Sequence, residues 1–147
     1  MTQLSDIYST RILELAAAIP RSERLAAPDA TATAHSKLCG STISVDVVMD
    51  GETIVDFGQT VRACLLGQAA ASIVGREIVG TTAGEFRAVA EAMRKMLKEN
   101  GPPPGGRFAD LAVLEPVRDY KARHTSTLLV FEAVERAMAE IEAKRAA

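Results

Sequence analysis

Between Thr42 and Met49 apolar residues fall at every second position: Ile43, Val45, Val47 and Met49, with Thr42, Ser44 and Asp46 between them. A period of two belongs to a strand, because successive side chains leave opposite faces of the pleat. Asp50-Gly51 follows, and Thr53 to Val61 then returns with Val55, Phe57 and Val61 on one face. Asp-Gly between two such runs signals a tight hairpin. The spacing therefore predicts an antiparallel pair with one face buried and the other, carrying Asp46, in water. Asp29 to Ser36 alternates small and polar residues, which predicts an outer strand.

The rest reads as helix. Tyr8, Ile12, Leu15, Ala16 and Ile19 recur at helical spacing across Ile7 to Ile19, with Ser5 as the N-cap and Pro20 as the stop. After Cys64 the residues Leu65, Ala69, Ser72, Ile73 and Arg76 share one side, and small residues from Gly67 to Ser72 allow close approach to the sheet. Thr82-Ala83-Gly84-Glu85 is a capping box that opens the next helix, which ends at Asn100-Gly101. Pro102 to Gly106 reads as a surface connector, and Phe108 to Leu114 as a short helix or turn stopped by Pro116. Lys121 to about Lys144 forms a long helix with Leu128, Phe131, Val134, Met138 and Ile141 inward. The expected fold is α+β: a small antiparallel sheet of about three strands with helices on one side, in a single domain over 1–147.

Bulk properties exclude several classes. A net charge of -2 gives no strong field toward nucleic acid or a membrane surface. No apolar run approaches the roughly 20 residues that span a bilayer. The first residues lack the basic and apolar regions of a signal peptide, so the expectation is a cytoplasmic protein with reduced thiols. Arg118, Lys121 and Arg123 form a basic cluster that is either a solvated helix start or an anion or partner contact beside a site. Phosphate-loop, serine-elbow and metalloprotease patterns are not found.

Chemistry points to the two thiols, Cys39 and Cys64. Cys64 falls at a helix start, where the positive end of the backbone favours an anion and hence a thiolate. It reads equally as a small hydrophobe against the sheet. Cys39 precedes Gly40 and lies one complete hairpin before Cys64, so both thiols can meet at one sheet edge. Two thiolates do not fill a tetrahedral metal site. His124 is the further candidate ligand, with His35 behind it; a lone histidine also serves simply as a hydrogen-bonded residue.

At Cys39-Gly40-Ser41, and at Cys64 followed by Ala69-Ala70-Ala71-Ser72, the chain resembles the NifU-like/IscU/SufU family of iron–sulfur cluster assembly scaffolds. The likeness runs over nearly the whole chain. The family's first motif is Cys-Gly-Asp, and its second is Gly-Cys before a small-residue helix containing Ala-Ser. Its third places a cysteine at the start of the last helix after Ala-Arg-x-x; here Ala122-Arg123-His124-Thr125 leads to Ser126.

The resemblance implies a SufE/NifU-like fold and a scaffold or carrier for iron or a labile [2Fe-2S]-type iron–sulfur cluster, with zinc as the alternative resting metal. Cys39 and Cys64 match the first two cysteines. Ser41 stands at the aspartate and Ser126 at the third cysteine, as weak or positional ligands. Thr125 falls where IscU-type members keep histidine, with His124 one place earlier. The implied partners are a cysteine desulfurase and recipient apoproteins, and no catalytic turnover is implied. The competing roles are a sulfur-transfer accessory that accepts a persulfide on Cys64, and a regulatory homologue without cluster chemistry.

Overall fold

A computed structural model describes residues 8–37 and 40–146. Helix α1 (Thr10–Ala17) precedes strands β1 (Ala30–His35), β2 (Thr42–Asp50) and β3 (Thr53–Arg62). Helices α2 (Leu65–Glu77) and α3 (Ala83–Lys98) follow, then a 3-10 stretch (Gly106–Asp119), a 3-10 turn (Lys121–Arg123) and helix α4 (His124–Ala146). The strands form one antiparallel sheet in the order β1-β2-β3. β2 is central, as its strict alternation requires, and Asp50 pairs with Thr53 across the hairpin.

Helices pack on one sheet face, with α4 lying along β1 and β2. That face supplies Ala34, Ile43, Val45, Val47 and Phe57 to a single apolar cluster with α2, α3 and α4. Phe86 of α3 joins the layers: its ring is edge-on to Phe108 at 6.1 Å and stacked on Phe131 at 5.8 Å. Thr82 caps α3 by accepting from the Glu85 amide at 3.1 Å, as the capping box predicts. Ser9 caps α1 by accepting from the Ile12 amide, while the expected cap Ser5 lies outside the described residues.

Four expectations need correction. Val55 does not face the core; it is 44% exposed, and Ile54 is buried instead. The cause is a register shift, in which Val48 pairs with Asp56 but Met49 with Ile54, so Val55 is an extra, bulged residue. Pro116 does not end the segment before it, because the 3-10 stretch runs on to Asp119. Pro104, in the expected surface connector, is buried.

The fourth correction concerns the sheet's second face. Asp46 was expected in water but is 0% exposed. The segment after α1 crosses this face: the Gln59 amide donates to the Arg21 carbonyl at 2.9 Å, and a Cβ on Gly58 would meet the Glu23 carbonyl oxygen at 2.1 Å. Gly58 pairs with Asp46, so a bare backbone at one position lets the crossing segment cover its neighbour. Asp46 accepts from Arg24 Nε at 2.7 Å, Arg24 Nη2 at 3.1 Å, the Leu25 amide at 3.0 Å and Thr31 Oγ1 at 2.6 Å. Burial alone raises its pKa, but the bonds from Arg24, Thr31 and the Leu25 amide, with the charge of Arg24, outweigh it and hold the carboxyl below its ordinary value.

Two outcomes follow for stability. Gly58→Ala forces the crossing segment off the sheet and lowers unfolding stability by about 1–3 kcal/mol, read by urea titration. The depressed Asp46 carboxyl adds stability above the unfolded carboxylate range, and that stability is lost as pH falls through the lower folded value. Asp46→Asn therefore loses stability at neutral pH and shows a flatter acid limb than the parent in urea midpoints measured from neutral to acid pH.

Candidate functional site

Strand β3 ends at Arg62, opposite Thr42 at the start of β2. Thr42 in turn faces His35 at the end of β1. The turn between β1 and β2 and the exit from β3 therefore share one end of the sheet. The turn is closed by backbone bonds: the Ser36 amide donates to the Ser41 carbonyl and the Gly40 amide to the Ser36 carbonyl, both at 2.9 Å. Ser41 is buried. Cys39, the first predicted thiol ligand, lies outside the described residues.

Cys64 occupies the N-cap of α2 in extended conformation and makes no side-chain capping bond. It is half-buried. Its Sγ–H instead donates across the molecule to Ser126 Oγ at 3.4 Å. Ser126 is 1% exposed and donates to the Arg123 carbonyl at 3.2 Å, a carbonyl that Thr127 Oγ1 also reaches at 2.8 Å. The hydroxyl thus has a donor on one side and an acceptor on the other, which fixes it against the sulfur. Gln68 Nε2 donates to the Ala63 carbonyl at 2.7 Å and ties down the residue before Cys64.

This pairing needs α2 and α4 to start almost in contact. Gly67 allows it: a Cβ there would stand 2.9 Å from the Ser126 carbonyl oxygen and 2.9 Å from Ala63 Cβ. Gly67 and Gln68 were not singled out as site residues from the sequence. The run of small residues after Cys64 was the signal for Gly67; nothing local marks Gln68, whose partner is set by the turn into the helix.

His124 is 7% exposed, and its Nε2 lies 3.1 Å from the carbonyls of both Val117 and Arg118. Carbonyls only accept, so Nε2 carries a proton. Residues two apart on a helix point about 200° apart around its axis. Ser126 faces Cys64, so His124 faces elsewhere, onto the end of the 3-10 stretch. Among the described residues, no group of three or more His, Cys, Asp or Glu side chains comes together to hold a metal ion. No helix of the described residues is long and apolar enough to cross a membrane. Among the described residues, this end offers the Cys64 thiol braced by a hydroxyl.

No protein-family profile matches the chain, and no curated protein sequence does. Among solved structures, it is similar to a nitrogen-fixing NifU-like protein (N-terminal) from Brucella abortus, with 55% identity over 96% of this chain and 98% of that one, and a TM-score of 0.95. The fold is shared with a putative iron–sulfur cluster assembly scaffold protein for the SUF system from Fervidobacterium islandicum AW-1, at 19% identity, 92% and 98% coverage and a TM-score of 0.83. It is shared also with a hypothetical protein at 20% identity, 92% and 99% coverage and a TM-score of 0.81.

Gly67→Ala separates the starts of α2 and α4. We expect a loss of about 1–3 kcal/mol in urea unfolding, together with faster modification of Cys64 by an aromatic disulfide reagent in a Cys39→Ala background.

Proposed function

The chain belongs to the NifU/IscU/SufU family, and from that premise we propose that it is an iron–sulfur cluster assembly scaffold or carrier whose cargo is held by Cys39 and Cys64. One observation carries the reading. The accessible Cys64 thiol meets Ser126, the residue at the family's third-cysteine position, at the sheet end where backbone bonds join Ser36 to Gly40 and Ser41. Thiolates are the soft ligands that iron–sulfur clusters take.

The donor set is incomplete. Two thiols supply half of a four-ligand set, and the Ser126 and Ser41 hydroxyls are far weaker toward a soft metal. His124 spends its Nε2–H on the Val117 and Arg118 carbonyls. The remaining ligands come from outside the chain, from a partner or a small thiol. A cargo held this way leaves readily, as a carrier's cargo must. The cysteine desulfurase that supplies sulfur and the apoproteins that receive the cluster are the partners this role requires.

The accessibility of Cys64 favours a second reading, a sulfur-transfer accessory. The Cys64 thiolate attacks the outer sulfur of a desulfurase persulfide. The sulfur–sulfur bond breaks, and the desulfurase cysteine leaves as thiolate, so no oxidant is needed.

Anaerobic reconstitution with ferrous iron, sulfide and a cysteine desulfurase separates the two. A visible chromophore that Cys39→Ala and Cys64→Ala each abolish supports the scaffold. Ser126→Cys adds a third thiolate beside Cys64 and slows loss of that chromophore to a chelator by at least about tenfold. Absence of a chromophore, with a gain of one sulfur mass on Cys64, assigns the transfer role instead. A chromophore that survives loss of both cysteines overturns the scaffold reading.

A further inference from the structure

The alternation that buries Ile43, Val45 and Val47 under the helices sends Thr42, Ser44 and Asp46 to the sheet's other face. Residues opposite one another on paired strands share a face, so the register extends each of these into a row across three strands. The rows are Thr31, Asp46 and Gly58; Thr33, Ser44 and Thr60; and His35, Thr42 and Arg62. All but the glycine are polar. The segment after α1 closes over the first row. The other two rows stay open toward β3, where Thr60 and Arg62 are exposed and Ser44 and Thr42 half-buried.

A pocket of about 270 Å3 lies there, lined by Arg24, Thr42, Ser44, Thr60 and Arg62. Three short hydroxyl side chains form its floor, and two long guanidinium side chains wall it. The walls flank the Ser44–Thr60 row: Arg62 stands in the row beyond it, and Arg24 is held on Asp46 in the row before it. Each row is two residues, about 7 Å, from the next.

The chemistry of this pocket is one-sided. Arg24 donates through Nε and Nη2 to the Asp46 carboxylate, which fixes the plane of its fork, and its Nη1 has no acceptor among the described residues. Arg62 has no hydrogen bond or ion pair among them, whereas Arg21 nearby is paired with Asp56. Ser44 Oγ shares a hydrogen bond with Thr33 Oγ1 at 2.7 Å. No carboxylate lines the pocket. The charge of Asp46 is matched by Arg24, and Glu23 and Asp56 line a neighbouring groove that shares Arg24. Unspent donors and two positive charges call for an anion that only accepts. Guanidinium forks and hydroxyls suit a tetrahedral oxyanion, whose oxygens take several donors at once. A cation is repelled by both walls, and a neutral ligand leaves their charge unmet.

We propose that this pocket binds a phosphate-type oxyanion, the free ion or the phosphoryl group of a small ester, on Arg24, Arg62 and the hydroxyls of Thr42, Ser44 and Thr60. The proposal uses neither thiol and goes beyond the cluster-carrier reading.

Calorimetric titration of the full chain with inorganic phosphate, at fixed ionic strength, tests it. Saturable binding with a Kd of about 1 mM or tighter is expected. Arg62→Gln weakens it at least about tenfold and Thr60→Val at least about threefold, the losses of a charge-assisted and a neutral hydrogen bond. Lys95→Gln, on α3 and outside the pocket, leaves it within about twofold. Should Arg62→Gln fail to fold, Arg62→Lys replaces it with a loss of at least about threefold, because an ammonium keeps the charge without the fork. Phenyl phosphate is titrated in parallel. Binding no tighter than phosphate assigns the free ion, and tighter binding assigns a phosphoryl group on a larger molecule. Cys39→Ala/Cys64→Ala binds like the parent, so failure of cluster chemistry and failure of this site are read separately. The proposal is overturned by absence of saturation up to about 10 mM phosphate, by undiminished binding in Arg62→Gln, by equal loss in Lys95→Gln, or by loss in the double-cysteine variant.

Discussion

Burial of α4 on nearly all its sides is the constraint that the rest of this structure rests on. Leu128 to Phe131, Ala133, Val134, Ala137, Met138 and Ile141 are all buried, against the sheet, α2 and α3. A helix wrapped this way can neither rotate nor slide without opening several packed surfaces at once. Its start is therefore a fixed point. Ser126 can hold the Cys64 sulfur at 3.4 Å because the helix that carries it has one permitted register.

The same rigidity gives the site its chemical character. A thiol at a helix N-cap ordinarily has free backbone donors ahead of it and solvent around it. Here the thiol turns instead to a buried hydroxyl, which is itself spent on the Arg123 carbonyl. The hydroxyl orients the sulfur without competing strongly for iron. Under the proposed scaffold role, a hard oxygen at this place would make for loose capture of a soft metal.

The sheet's second face is partly covered by the chain itself. The segment after α1 seals the open sheet face through Gly58 and the Asp46–Arg24 pair, so that face is largely closed to partners near Asp46.

Local pattern alone determined the hairpin at Asp50-Gly51, the capping box at Thr82, the α+β class and the place of Cys64 at a helix start, because period, turn chemistry and caps act over a few residues. It could not reveal the bulge at Val55 or the burial of Asp46. A one-residue slip in pairing and a loop folding back over a sheet leave no periodic trace. Nor could it choose between His124 and Ser126. Both stand at the start of one helix, and only packing against α2, with Gly67 permitting the contact, decided which one turns toward the sulfur.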